Sequence, residues 1–237
     1  MALRGLGTTL EIGFAIAFFM VLYSTLREFL GKSFLRDLAR GLYGGAREER
    51  AIVVFVDIKG STSIAESLPP KRFFDLLNDF FALVDTHVTY YAGTIYKYLG
   101  DGAILVWKAT PQNARRVLGL VSGLGQDLAG RAERFERDYG CAVECSAGVH
   151  AGAVLVGGIG REKRELGYWG DTLNTASRIQ GMCAQYQEPA LFSSDFVAVL
   201  PIPEGAAKGP TLRSIEHVEL RGKQGVHTLY AVEGTTA

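Results

Sequence analysis

An α+β domain, with an antiparallel sheet and helices packed against it, is the fold class this sequence predicts from Ala51 onward. Three observations predict it. Short β-branched apolar runs alternate with long stretches whose apolar residues recur at helical spacing. An Asp-Gly turn signal joins two of the apolar runs into a hairpin. The resulting order is strand, helix, hairpin, helix, strand, as in ferredoxin-like or palm-type domains. The first fifty or so residues differ in character and are read separately.

In chain order, the first element is apolar. From Leu6 to Leu26 the only charge is Glu11, and IGFAIAFFMVLYSTL is almost wholly apolar. A bilayer-spanning helix needs roughly 20 such residues, a length reached if Glu11 lies near one interface. No small-residue cleavage site follows, which speaks against a signal peptide. The competing reading is a buried or dimerising helix of a soluble protein. Arg27, Lys32, Arg36, Arg40, Arg47 and Arg50 follow the run and only Arg4 precedes it. The positive-inside bias then puts the C-terminal side in the cytoplasm. The expected division is a transmembrane helix over 1–28, a juxtamembrane linker helix over 29–49 and a globular domain over 50–237. The chain would sit at the inner or plasma membrane with the globular domain cytoplasmic. Further helices upstream are compatible with this.

The globular elements follow. AIVVFVDI is a short apolar run bounded by Gly60 and reads as a buried strand. Arg72 to Ala92 carries Phe73, Leu76, Leu77, Phe80, Phe81, Val84 and Val88 at helical spacing and reads as a long helix. GTIYKYLGDGAILVWKA reads as two strands joined at Asp101-Gly102. Residues 111–139 read as a second long helix, and AVECSAGVHAGAVLVGGIG as a strand pair with a glycine-rich turn. GDTLNTASRIQGMCAQY opens a third helix, with Asp171 or Thr172 as its cap. Short strands are expected around 190–193, 216–220 and 227–232.

Composition narrows the class. The chain has 237 residues, 48% of them apolar, enough for one ordinary domain with a core plus a smaller appendage. Lysine and arginine number 25, as do aspartate and glutamate, so there is no basic footprint for nucleic acid. Cys141, Cys145 and Cys183 make an odd count without paired spacing, which reads as free thiols rather than a disulfide framework. No histidine pair near Cys141 and Cys145 completes a zinc set. His150 on an apolar strand, His87 on a helix face, Trp107 and Trp169 read as packing residues; Trp169 could also lie near a ligand.

Three segments carry chemistry. Asp57 ends an apolar strand, where an ionised carboxylate is costly unless paired or bound to a cation. Gly60, Ser61 and Thr62 follow it, small residues that let backbone N–H groups face an anion. Taken alone, such an Asp often just caps a turn. Asp101 sits at the hairpin; alone, an Asp-Gly pair is simply a turn. If the hairpin pairs beside the first strand, the two acids meet at one end of the sheet and repel unless a divalent cation lies between them. Magnesium prefers one or two carboxylates plus substrate phosphates. Asn174 and Arg178 are four apart and share one helix face. An amide beside a planar guanidinium suits a ribose and a phosphate, though an isolated pair of this kind is usually just a solvated face.

Taken together, FVDIKGST (55–62), KYLGDG (97–102), GVHAGAVLVGGIG (148–160) and YWGDTLNTASR (168–178) make the chain resemble the class III adenylate and guanylate cyclases over roughly residues 50–232. The resemblance implies an adenylate cyclase that converts ATP to 3′,5′-cyclic AMP and pyrophosphate with two Mg²⁺ or Mn²⁺ ions per site. Asp57 and Asp101 match the metal-binding aspartates, with the Ile58 carbonyl a further ligand. Lys97 falls on a purine-reading position, where lysine is similar to adenylate cyclases. An ammonium only donates, which suits an acceptor nitrogen of adenine. Asn174 matches the ribose-orienting residue and Arg178 the residue that stabilises the transition state. Lys223, in LRGKQG, falls near the family's triphosphate-binding lysine. The resemblance also implies a head-to-tail homodimer with shared sites, the aspartates from one subunit and Lys97, Asn174 and Arg178 from the other.

Two departures stand out. Ser61-Thr62 replaces the family's frequent Phe-Thr. Gly167, two residues before Trp169, occupies the second purine-reading position without a side chain to accept from the adenine amino group. That keeps a guanylate cyclase, or a cyclase of relaxed base choice, as an alternative. A non-catalytic cyclase-like nucleotide-binding regulatory module is the alternative from another class; such modules typically lose a metal Asp or the Arg. A palm-type polymerase or diguanylate cyclase would share fold and metals, but there is no GGDEF-like string.

Overall fold

A computed structural model of the protein describes residues 2–30, 45–160, 165–201, 212–219 and 226–232. By its contacts the chain divides into two units, one of Met1–Arg47 with Val156–Gly167 and the other of Glu48–Leu155 with Tyr168–Ala237.

The first unit contains helix α1 (Ala2–Leu30). Its side chains are described over residues 11–25, all of them exposed. The expected membrane span is not supported: among the described residues no helix is long and apolar enough to cross a membrane. The uninterrupted apolar stretch, Ile12–Leu22, lies between Glu11 and Tyr23-Ser24-Thr25. It is about half the roughly 20 residues that a bilayer core demands. Most of the expected linker helix over 29–49 lies outside the described residues, and its last residues, Arg47–Glu49, belong to a strand instead.

The second unit holds the sheet's core. β1 (Arg47–Ile58) is buried without interruption from Ala51 to Val54, as its apolar run requires. β2 (Thr94–Leu99) and β3 (Gly102–Lys108) form the expected hairpin, and β3 pairs antiparallel with β1. The turn is Gly100-Asp101 rather than Asp101-Gly102. Gly100 adopts the positive φ of 61° that the turn needs, while Gly102 already belongs to β3.

β4 (Cys145–Ile159) runs as one long strand where a strand pair was expected, and it pairs with β5 (Glu165–Trp169). Glycines read as a turn instead bring a helix close, as described below. β6 (Ala190–Ser193), β7 (Leu212–Glu219) and β8 (Val226–Val232) complete an eight-stranded sheet of order β2-β3-β1-β4-β6-β8-β7, with β5 beside β4. β6 is parallel to β4 and antiparallel to β8, so the α+β class holds with one parallel pairing.

Helices cover the sheet. α2 (Ser61–Ser67) is a short helix that the small-residue turn after Asp57 had concealed. α3 (Pro70–Tyr90) starts on Pro70, whose fixed φ suits the first turn. It buries Leu76, Phe80, Leu83, Val84 and Val88, largely the expected stripe. The expected helix over 111–139 breaks at Arg131 into α4 (Pro111–Gly130) and α5 (Ala132–Tyr139). Thr110 caps α4 by accepting from the Asn113 N–H at 3.3 Å, and Gly140 closes α5 in the left-handed region. Then come α6 (Asp171–Gly181), α7 (Cys183–Tyr186) and α8 (Ser194–Val197).

The bland readings hold for several residues. Trp107 is 3% exposed and donates to the Tyr91 carbonyl at 3.0 Å. His150 is buried with Nδ1 2.8 Å from Ser193 Oγ. His87 pairs with Asp127 at 2.9 Å. Cys141, Cys145 and Cys183 are all free thiols.

Candidate active site

The site starts from the pairing of β1 with β3. Their register sets Asp57 opposite Gly102, so Asp101 in the preceding turn comes beside Asp57. Gly102 permits the approach. A Cβ there would lie 2.8 Å from the Val56 carbonyl oxygen and 3.4 Å from Asp57 Oδ1. Any side chain would press on the carboxylate.

The electrostatics of Asp57 follow from this crowding. Its carboxyl is pushed up from 3.8 to about 6, first by burial and second by the Asp101 charge, against a smaller lowering by the Ile58 backbone. Among the described residues Asp57 Oδ1 is also a buried side-chain oxygen with no hydrogen-bond partner. A buried acceptor without a donor is costly, and two facing carboxylates raise the cost. A divalent cation resolves both. The donor set, two facing carboxylates, fits a hard oxygen-seeking ion such as Mg²⁺ or Mn²⁺. Among the described residues there is no cluster of three or more His, Cys, Asp or Glu side chains for a metal, so an ion here would need ligands from elsewhere, such as substrate.

The turn after Asp57 is fixed by its backbone. Ile58 ends β1, buried. The Lys59 N–H donates to the Glu144 carbonyl at 2.9 Å, and Gly60 takes φ 64° so that its carbonyl accepts from Ile64 N–H at 3.2 Å. Ser61 and Thr62 then form the first turn of α2.

A second group lies on α6, and its seating depends on β4. A Cβ on Gly148 would stand 2.2 Å from the Gln180 nitrogen and 2.4 Å from the Ala176 carbonyl oxygen, so only glycine lets the helix backbone lie on the strand. Thr172 Oγ1 donates to the Ala153 carbonyl at 2.6 Å, which pins the helix start. Neither Asp171 nor Thr172 caps α6: the cap is Gly170, at φ 140° and with no side chain. Thr172, Thr175, Ala176 and Ile179 are buried, while Asn174 is exposed and Arg178 half-buried. Among the described residues no hydrogen bond or ion pair joins Asn174 or Arg178 to either aspartate.

Lys97 is exposed on β2, opposite Ile104 and next to a bulge at Tyr96. The Tyr96 ring stacks edge-on against Tyr168 with centroids 5.0 Å apart, a contact that residue types alone do not signal. Gly167 is buried in β5 and Trp169 half-buried. Lys223 lies outside the described residues. The structure thus joins Asp57 with Asp101, and sets Asn174 with Arg178 on one helix.

Comparisons with known proteins agree with this geometry. Residues 45–234 match the family described as Adenylate and Guanylate cyclase catalytic domain, and the chain belongs to that family. Adenylate cyclase 2 of Rhizobium meliloti (strain 1021) is 31% identical over 179 residues, which are 75% of this chain and 49% of that protein. The adenylate cyclase of Anabaena cylindrica is 28% identical over 194 residues, 80% of this chain and 38% of that protein. The chain thus spans half or less of these relatives. A bacterial light-regulated adenylyl cyclase shares the fold with a TM-score of 0.80 at 16% identity, covering 96% of this chain and 65% of that one. The guanylyl cyclase Cya2 shares it with a TM-score of 0.67 at 23% identity, covering 79% of this chain and 93% of that one.

Proposed function

We propose that this chain is the catalytic domain of an adenylate cyclase, which closes ATP to 3′,5′-cyclic AMP and releases pyrophosphate. The observation that carries the reading is the facing pair of Asp57 and Asp101, with a buried Asp57 oxygen lacking a partner. Divalent ions bound there would lower the pKa of the ribose 3′-hydroxyl and offset the charge of the triphosphate.

The chain's own residues do the rest. Asp57, Asp101 and the Ile58 carbonyl hold the ions. Backbone N–H groups at Gly60, Ser61 and Thr62 face the phosphates, and Lys223 adds positive charge to them. Asn174 orients the ribose, a positioning effect. Arg178 meets the negative charge that develops on the α-phosphoryl group as the 3′-oxygen attacks it. Lys97 donates to an acceptor nitrogen of the adenine. No side chain needs to act as a general base.

Among the described residues no hydrogen bond or ion pair links Asn174 or Arg178 to the aspartates of their own chain. This favours a homodimer in which each site takes its aspartates from one subunit and Lys97, Asn174 and Arg178 from the other.

A second reading, a guanylate or relaxed-specificity cyclase, is favoured by one observation: Gly167 has no side chain with which to read the base. Initial rates of cyclic nucleotide formation from ATP and GTP, each with Mg²⁺ and Mn²⁺, test both readings. Preference for ATP is expected. Preference for GTP would replace the first reading with the second. Nucleotide binding without any cyclic product would leave a non-catalytic binding module.

A further inference from the structure

A cavity of about 450 Å³ opens between α4 and strands β1, β4 and β6. Its volume falls in the range of small-molecule sites, about 300–1,000 Å³. Val56, Leu120, Leu124 and Ala147 line its interior, none more than 3% exposed. Gly125 and Gln126, on the exposed side of α4, line its mouth.

Among the described residues the lining holds a single charged group, Glu188. That carboxylate is 8% exposed, and the Arg213 guanidinium from β7 pairs with it. Among the described residues the cavity therefore offers apolar surface and no unbalanced charge. A charged guest would shed its water without a counter-charge, which is costly. An uncharged apolar guest gains about 25 cal/mol for each Å² it removes from water.

We propose that this cavity is a binding site for an uncharged, predominantly apolar small molecule. It is distinct from the aspartate site. Val56 adjoins Asp57 in β1, but successive strand side chains point to opposite faces of the sheet. A guest against Val56 thus lies across the sheet from the carboxylates.

The test uses the neutral apolar fluorophore N-phenyl-1-naphthylamine and the full chain. The wild-type protein is expected to bind it saturably, one per chain, and to melt at a higher temperature when it is bound. A Cβ added at Gly125 meets no atom within 4 Å, and leucine is the better helix former, so Gly125→Leu keeps the fold and narrows the mouth. At least tenfold weaker binding is expected, with Gly125→Ala close to wild type. Ala147→Leu fills the floor and gives the same reading should Gly125→Leu not fold. Asp57→Asn should bind as tightly as wild type. The proposal is overturned by a lack of saturable binding, by undiminished binding in the folded cavity-filling variants, or by loss of binding in Asp57→Asn, which would assign the probe to the aspartate site.

Discussion

A buried carboxylate oxygen with no donor is unstable unless something positive reaches it, and among the described residues Asp57 has such an oxygen. Its folded pKa of about 6 lies above the ordinary 3.8. Between those values the folded protein holds a proton that the unfolded chain has released. This group's contribution is therefore most favourable below about pH 4 and is lost as pH rises through about 6. In chelator, the stability difference between Asp57→Asn and wild type should move in the variant's favour across that window, and saturating Mn²⁺ should reverse it. Urea unfolding at a series of pH values checks this; a pH-independent difference would contradict it. The same substitution should lower cyclase activity by at least about a hundredfold, since bound metals supply several kcal/mol to such reactions. Gly102→Ala places a methyl 2.8 Å from the Val56 carbonyl, a clash worth about 1–3 kcal/mol. Thermal melts should show the loss. The carboxylates were legible in the sequence because each follows or interrupts an apolar strand. The orphaned oxygen and the tightness at Gly102 were not, because both depend on the register of two strands distant in sequence.

At the scale of elements, the decisive contact is α6 on β4. Gly148 lies in the segment expected to be a strand pair with a glycine-rich turn, since glycine marks turns and close approach alike and a linear pattern does not separate the two. The structure selects close approach. Gly148→Ala drives a Cβ into the α6 backbone at 2.2 Å from the Gln180 nitrogen. Backbone yields poorly, so a loss of about 3 kcal/mol is expected, at the upper end for overpacking. Activity should fall further than stability accounts for, because the displaced helix carries Asn174 and Arg178. Comparing kcat at a temperature where both proteins stay folded separates the two effects. Arg178→Ala, which leaves the helix in place, should lower kcat by about 10²–10³-fold, as loss of a preorganised transition-state donor does. The break at Arg131 was hidden for a related reason. The apolar spacing of α4 and α5 reads through a single irregular residue, and only packing decides whether a helix bends there.

At the scale of the whole molecule, the proposed shared site makes a prediction that no single chain can satisfy. Asp57→Ala and Arg178→Ala proteins should each lose nearly all activity, and co-refolded mixtures should recover activity, approaching a quarter of wild type if subunits pair at random. Assay of purified mixed dimers checks this, and no recovery would argue against a site built from two subunits. The sequence by itself determined the family, the strand that ends in Asp57, the hairpin that carries Asp101 and the helix that aligns Asn174 with Arg178. These are local: apolar periodicity, a turn signal and residue spacing define them. Tertiary structure alone decided that β4 runs unbroken, that Gly102 and Gly148 are glycines for lack of space, and that one oxygen of Asp57 is buried without a partner. It also decided that a cavity lies across the sheet from Asp57. Each of these is a distance between residues far apart in the chain, and no local pattern encodes such a distance.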